Sequence, residues 1–372
     1  MHLEIHNEIV NRICFFCKNE KNFLKGKIID APLILGCTTQ DPIEDDFISY
    51  STFQCNSCGL VFTDAKLKEL AYSSIHSEAI GGIWHEHHQQ FGKFIKNSDV
   101  SLESVLEIGP SNNPILRSNT MYVDMFDEAP FELRENEFYY KGRFPEIEIE
   151  HKFDTIVASH VFEHSLEPDF FLKKCKELLN PKGSIFISIP DFLTWINNKY
   201  WNGVTPEHQI YPTIYQIEQL CNNLGLDLSF EKFKGHSMFF QLKINGKNEI
   251  RATNNSKVDV GSWFLSIKNS VKNLEQKLTK YDNKQVFIAG ASHISQYPIL
   301  MSQSIKDRIN FVLDNSKSKH GKRLYGTQVY CKPFEFISET ENPLIAVFSS
   351  PYQKEMIKQI MSINKKATVI EC

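Results

Sequence analysis

The sequence predicts an α/β protein with one open, doubly wound parallel sheet at its centre, a small metal-binding unit before it and a smaller α/β unit after it. Three observations carry this. Between Val105 and Pro190, short apolar runs alternate with polar loops: Val105–Ile108, then Tyr122–Asp124, then Phe153–Ser159, then Ile185–Pro190. Loops at strand C-termini are where open parallel sheets bind ligands. Two Cys-x-x-Cys pairs, Cys14/Cys17 and Cys55/Cys58, stand near the N-terminus. A second run of apolar strands and helices fills the last part of the chain.

The length of 372 residues suits two or three domains. Apolar content of 41% and charged content of 23% are those of an ordinary globular protein. A net charge of −4 with scattered basic residues argues against a nucleic-acid partner. The densest basic cluster, Lys317 to Arg323, reads as a solvated loop. No run approaches the ~18 consecutive apolar residues of a membrane span. The first residues lack a basic stretch followed by an apolar core, so no signal peptide is expected. Nine Cys fit a reducing, cytoplasmic setting, four of them arranged for a metal and not as a disulfide framework. The expected boundaries are 1–70, 71–258 and 259–372, with the polar run Asn245 to Lys257 as turn and linker.

In the first unit, the two Cys pairs are separated by 37 residues. Four thiolates at matched C-x2-C spacing point to a closed, tetrahedral and therefore structural Zn2+ site. Unrelated buried cysteines or a redox pair are the alternatives. Gly59 permits the tight backbone of the second knuckle. In the central unit, Phe171, Leu172, Cys175, Leu178 and Leu179 fall on helical faces, and Asn180-Pro181-Lys182-Gly183 has type I turn residues. Thr213 with Gln216 three residues later is a capping box. The helix it opens buries Ile214, Ile217, Cys221 and Leu224, and Gly225 ends it. Strands follow at about 226–233 and 237–244. In the last unit, Phe264, Ile267, Val271, Leu274 and Leu278 recur at helical spacing. Strands are expected at Gln285–Ala289, Asn310–Leu313, Leu344–Phe348 and Thr368–Ile370, with a helix from Gln353 to Met361. The loop from Gly290 to Ser295 is only loosely like a dinucleotide loop, because the full glycine pattern is missing.

The order and spacing of the pieces from Val105 to Pro190 resemble a class I methyltransferase that uses S-adenosylmethionine. That cofactor needs a carboxylate for its ribose hydroxyls, a loop of close backbone approach, and a setting that holds its sulfonium in line with the acceptor. Asp124 ends the second strand, fifteen residues after Gly109, where an acidic residue would take the ribose. Glu107 and Gly109 lie on the first strand and its loop. Ser159 and His160, at the end of the fourth strand, are expected near the methionyl or sulfonium end. The loop from Gly109 to Pro114 carries one glycine where the class carries several. Asn112 and Asn113 tolerate left-handed backbone and keep the turn feasible.

On the acceptor side, Glu207-His208 follows the fifth strand and can overhang the cofactor. A His, with an unperturbed pKa of ~6.5, suits proton removal near neutrality; an ordinary surface dipeptide is the bland alternative. His164 is a second candidate, with a capping or core histidine as the alternative. The cluster from Trp84 to His88 does not fit H-E-x-x-H, because position 89 is Gln; it reads as one helix with some faces near the cofactor.

Taken together, the chain resembles the three-domain sugar C-methyltransferases of deoxysugar pathways. The four Cys match that family's zinc ligands. Tyr72-Ser73-Ser74 resembles the segment that enters its active site, Glu163-His164 falls where it has a His after the fourth strand, and Glu207-His208 matches its catalytic loop. The stretch from Lys319 to Val329, preceded by Val312 to Asn315, resembles its C-terminal signature. The resemblance implies methyl transfer from S-adenosylmethionine to a nucleotide-linked keto-deoxysugar, with catalytic roles for His208, Glu207, His164 and Tyr72. It implies a small-molecule partner and a monomer or homodimer. One position departs: the family has a Tyr two residues before the Glu, and here that residue is Thr205. Tyr211 is the nearby candidate to replace it. With a hydroxyl as acceptor in place of a carbon, a His base would serve equally.

Overall fold

The computed structural model describes residues 1–67, 82–244 and 258–372. The candidate Tyr72 lies outside the described residues, as does the whole of the expected linker, 245–257.

The N-terminal unit is a sheet of long antiparallel strands: β1 (His2–Asn11), β2 (Lys21–Pro32), β4 (Phe47–Cys55) and β5 (Val61–Thr63), while β3 (Cys37–Thr38) leaves it. The inner strand β2 alternates buried and half-buried positions over much of its length, as a half-solvated antiparallel sheet requires.

The central unit begins with α1 (Gly82–Lys96) and carries β6 (Val105–Ile108), β7 (Thr120–Asp124), β8 (Phe138–Lys141), β9 (Phe153–Ser159), α2 (Pro168–Glu177), β10 (Leu179–Pro190), α3 (Phe192–Asn197), β11 (Ile210–Tyr211), α4 (Ile214–Leu224), β12 (Leu226–Phe233) and β13 (Ser237–Ile244). Its seven strands run in the order β12-β13-β10-β9-β6-β7-β8. From β10 through β8 every pairing is parallel, and β13 is antiparallel to both its neighbours. The first strand thus lies inside the sheet with β7 on one side and β9 on the other. Chain order reverses there, and that switch point is where such sheets place their ligands. This is the class I methyltransferase, Rossmann-like fold the sequence predicted. The expected turn at Asn180 to Gly183 is instead part of β10, with a register shift against β9 between Leu179 and Ser184. The chain bulges there without leaving the sheet.

The C-terminal unit packs α5 (Val260–Leu278), α6 (His293–Met301), α7 (Gln303–Lys306) and α8 (Gln353–Ile363) on a second sheet. Its strands are β14 (Val286–Ala289), β15 (Ile309–Leu313), β16 (Arg323–Leu324), β17 (Tyr330–Lys332), β18 (Leu344–Val347) and β19 (Thr368–Glu371). The four expected strands and the helix after β18 are present within two residues of their predicted bounds.

The N-terminal sheet clasps both neighbours. β3 completes the C-terminal sheet by pairing Cys37 and Thr38 with Leu324 and Arg323, and β11 completes the N-terminal sheet by pairing with β5. The cores follow the same pattern. Ile28 and Tyr50 pack in one cluster with Phe264, Val286 and Tyr297. Leu24, Phe53 and Phe62 pack in another with Ile108, Phe162 and Ile217. At β16 the clasp is also ionic: Arg323 makes a bidentate pair with Asp45 at 2.6 and 2.8 Å, both side chains almost fully buried. The stretch from Lys319 to Val329 singled out in the sequence therefore docks the first unit onto the last.

Candidate active site

Gly109 follows β6 with φ +63°, and a Cβ placed on it would stand 2.6 Å from Val161 Cγ2. Only glycine meets both demands without strain. The next left-handed residue is Ser111, at φ +51°, and not Asn112 or Asn113 as expected. A single non-glycine residue in that region is what lets a loop with one glycine close. Asp124 accepts from the Ser111 N–H at 3.4 Å and from the Met125 N–H at 2.7 Å. Each oxygen thus holds one backbone donor, and a carboxylate has about four acceptor positions. Burial pushes the Asp124 carboxyl above its usual range.

Glu107 faces elsewhere. Its two oxygens accept from the backbone N–H of Ile115 and Leu116, at 2.7 and 3.1 Å. The carboxylate thus ties β6 to the stretch at Ile115 and Leu116, where the loop after β6 returns.

Ser159 closes β9, and His160 follows at φ +55°. The His160 ring is turned to protein partners, with Nε2 2.9 Å from Ser237 Oγ and Nδ1 3.1 Å from Glu163 Oε1. Burial lowers its pKa to about 3, so the ring is neutral at physiological pH. Glu163 is 1% exposed and burial pushes it up to about 7. His208 Nε2 stands 4.0 Å from Glu163 Oε1 and 3.8 Å from Glu207 Oε1. His164 donates its Nδ1–H to the Glu207 carbonyl at 2.8 Å, and its ring lies 4.9 Å from that of His208. Ligand atoms of Glu163, His164 and His208 all lie within 4.8 Å of one another. Burial also raises Glu207 to about 7. This is a desolvated cluster of two carboxyls raised to about 7 and two imidazoles, residue types that suit general acid–base work.

The first unit positions this cluster. Thr63 donates its hydroxyl to the His208 carbonyl at 2.8 Å, and the Thr63 N–H donates to Gln209 O at 3.0 Å. Gln209 donates its side-chain amide to Ala65 O at 3.0 Å and its N–H to Glu163 O at 2.9 Å. The carbonyl of Cys58 accepts from Gln216 Nε2 at 2.7 Å. Tyr211 does not offer a free hydroxyl. It donates to Thr205 O at 2.7 Å and accepts from Thr205 N at 2.9 Å. Two phenols that sequence reading missed, Tyr50 and Tyr297, lie 3.4 Å apart in the buried zone near Glu207. They come from β4 and α6, on different units, and no local motif announces them. Glu163 was read only as the neighbour of His164, and Ser237 was not singled out; the structure sets both beside the His160 ring.

The Sγ atoms of Cys14, Cys17, Cys55 and Cys58 all lie within 4.8 Å of one another. Cys14 and Cys58 are 3.8 Å apart and Cys17 and Cys55 are 3.4 Å apart. Four thiolates at ~2.3 Å from one zinc would be about 3.8 Å apart, whereas a disulfide needs about 2 Å. Gly59 takes φ +74° in the second knuckle.

A cleft of about 460 Å³ lined by Glu86, Phe94, Lys232, Lys234 and Phe239 lies between α1 and the β12–β13 hairpin and includes none of these residues.

Residues 79–229 match a family model described as a methyltransferase domain. No curated protein matches the chain at a significant level. Among solved structures, an S-adenosylmethionine-dependent methyltransferase from Clostridium acetobutylicum is 12% identical, with 43% of this chain and 92% of that chain covered and a TM-score of 0.35. The glycopeptide N-methyltransferase MtfA with S-adenosylmethionine is 11% identical over 42% of this chain and 93% of that one, TM-score 0.34. The CcbJ methyltransferase from Streptomyces caelestis is 11% identical over 45% and 100%, TM-score 0.36. The central block thus has the class I methyltransferase, Rossmann-like fold, and its residues 79–229 match the methyltransferase-domain model.

Proposed function

We propose that this protein transfers the methyl group of S-adenosylmethionine to a nucleotide-activated keto-deoxysugar, with His208 as the base. One observation carries the reading: Gly109 is seated directly against Val161, two residues before Glu163, so the donor loop abuts the buried acid–base cluster. S-adenosylmethionine supplies the electrophilic methyl group. Asp124 holds its ribose, and the loop from Gly109 to Ser111 gives its methionyl part a close backbone wall. His208 removes the proton alpha to the sugar ketone. Glu163 and Glu207 stabilise the imidazolium that results; the new carbanion would attack the methyl carbon, the methyl–sulfur bond breaking with its electron pair left on sulfur so that neutral S-adenosylhomocysteine leaves. Tyr72, outside the described residues, is the further candidate on the acceptor side. The four Cys hold one structural Zn2+, whose unit anchors the His208 loop through Thr63 and Ala65.

A second reading, O-methylation of a sugar hydroxyl, is favoured by one observation. The Tyr211 hydroxyl is engaged by Thr205 at both its donor and its acceptor, leaving it unable to stabilise an enolate oxygen. Labelled methyl transfer to a panel of nucleotide sugars and their 4-keto forms tests both readings. A C–CH3 signal in the carbon NMR spectrum of the product supports the first and an O–CH3 signal the second. No transfer to any member of the panel contradicts the substrate class.

A further inference from the structure

Glu163 is a buried carboxyl that the protein leaves without hydrogen bonds. It is 1% exposed, and neither side-chain oxygen has a hydrogen-bond partner among the described residues. His160 Nδ1 lies 3.1 Å from Oε1 but is not aligned as a hydrogen bond. A buried polar group left in this way costs free energy, and an ion is one of the partners that offset the cost. Two imidazoles share its surroundings. His208 Nε2 stands 4.0 Å from Glu163 Oε1, and ligand atoms of Glu163, His164 and His208 all lie within 4.8 Å of one another. The four cysteine sulfurs meet the same measure.

The tautomer of His164 is fixed by its partner. A carbonyl only accepts, so Nδ1, 2.8 Å from Glu207 O, carries the proton, and Nε2 of the neutral ring carries a lone pair. Metal-binding histidines are held in this way, their second ring nitrogen donating to a carbonyl or carboxylate. The same two segments are tied a second time, by the Gln209 N–H on Glu163 O at 2.9 Å. The donors therefore stand together before any ion arrives, which lowers the ordering cost of binding. Nitrogen and oxygen ligands sit ~2.0–2.2 Å from zinc, hence about 3.4 Å from each other at a tetrahedral ion. Bringing His208 Nε2 and Glu163 Oε1 from 4.0 Å to that separation takes about 0.6 Å, a small side-chain rotation. Two imidazoles and one carboxylate suit Zn2+ and its first-row neighbours, whereas Mg2+ and Ca2+ take oxygen ligands. Three protein ligands of this type leave a fourth position for water.

We propose that Glu163 Oε1, His164 Nε2 and His208 Nε2 bind one divalent transition-metal ion, with Zn2+ as its representative, and that the bound ion switches methyl transfer off. The lone pair on His208 Nε2 serves either the ion or a proton, so the occupied protein has no base. The switch rests on His208 being the base, as proposed above; the ion site does not.

The test is titration of the full-length protein, its cysteines already loaded, with Zn2+. Calorimetry counts the ions, and 15N NMR at labelled histidines locates them, with signals assigned through His164→Gln and His208→Gln. One ion beyond the cysteine-bound one is expected per chain, and the Nε2 signals of His164 and His208 should move together as it binds. Glu163→Gln keeps the shape of the side chain and removes the anionic ligand. Its Zn2+ affinity at this site should fall by more than the ~10–100-fold that loss of an outer-shell partner costs. His164→Gln spares the buried carboxyl and should weaken binding as much; circular dichroism checks that both variants fold. The proposal is overturned if no further ion binds or if Zn2+ moves only other histidine signals. It is also overturned if either folded variant binds the further ion as tightly as the wild type. Methyl transfer should fall in proportion to occupancy. A fully occupied protein that transfers at its full rate would overturn the switch and the reading of His208 as the base together, while the ion site itself would stand.

Discussion

Asp45→Ala should unlock the clasp between the first and last units. Asp45 receives both Arg323 Nη atoms, at 2.6 and 2.8 Å, and the Gly326 N–H at 2.9 Å. The guanidinium also donates to Thr327 O at 2.9 Å and Gln40 O at 3.1 Å, so it cannot swing out to water without breaking these contacts. Arg323 and the Asp45 side chain are 4% and 3% exposed. Truncating Asp45 therefore strands a buried cation. Breaking one partner of a buried pair costs about 3–5 kcal/mol. The orphaned Gly326 N–H falls within that figure, because the same carboxylate serves both. Relative to a total of ~5–15 kcal/mol for a folded protein, the loss is large. Urea unfolding followed by tryptophan fluorescence reads it, with hydrogen exchange at β3 and β16 locating it. Joint replacement by apolar residues, Asp45→Leu with Arg323→Met, should recover most of the loss, since isosteric apolar substitutes of a buried pair are often neutral. An Asp45→Ala protein within about 0.5 kcal/mol of wild type, the scatter of ordinary surface changes, would refute the reasoning. So would a double variant as unstable as the single one.

Other expectations follow from the site. Zinc removal by a chelator should release one metal ion per chain, read with a colorimetric indicator, and should lower methyl transfer along with the melting temperature, because Thr63 and Ala65 hold the His208 loop. Loss of metal with full activity would contradict that coupling. Gly109→Ala meets Val161 at 2.6 Å at a left-handed position, so stability should fall by about 1–3 kcal/mol as in overpacked cores; an unchanged denaturation midpoint would count against the loop geometry. Glu163 and Glu207 have folded pKa values raised to about 7 from 4.5. Between those values the native state binds more protons than the unfolded state, so their contribution is full below pH 4.5 and is lost as pH rises through 7. Relative to wild type, Glu207→Gln should gain stability as pH rises across that window, by up to about 1.4 kcal/mol per pH unit. A difference that is flat with pH would rule this out.

Much of this fold was legible because its signals are local. The capping box at Thr213 is present, with the Thr213 N–H on Gln216 Oε1 at 2.8 Å, and Gly225 ends α4 at φ +62°. The face of α5 read from Phe264, Ile267, Val271, Leu274 and Leu278 is buried as its period required. The C-x2-C pairs converge because knuckle geometry is carried by residues next to one another. What was not legible depends on distant pairings. Nothing local says that Cys37 and Thr38 extend the C-terminal sheet, or that Ile210 and Tyr211 extend the N-terminal one. Glu107 looked like a cofactor ligand because its position along β6 suited one; the loop amides that take its oxygens only become visible in three dimensions. The left-handed role fell to Ser111 although the asparagines have the higher intrinsic tolerance, because Asp124 holds the Ser111 N–H. His160 was placed at the sulfonium on its sequence position; that its ring stands beside Ser237 and Glu163 becomes visible only in three dimensions.

The central claim is that the site at Asp124 binds S-adenosylmethionine. Isothermal titration of the intact protein with the cofactor tests it directly. One site per chain is expected, and Asp124→Ala should weaken binding by at least about tenfold, the equivalent of one charge-assisted hydrogen bond of roughly 1.5 kcal/mol. No heat of binding, or the same affinity in Asp124→Ala, would contradict it.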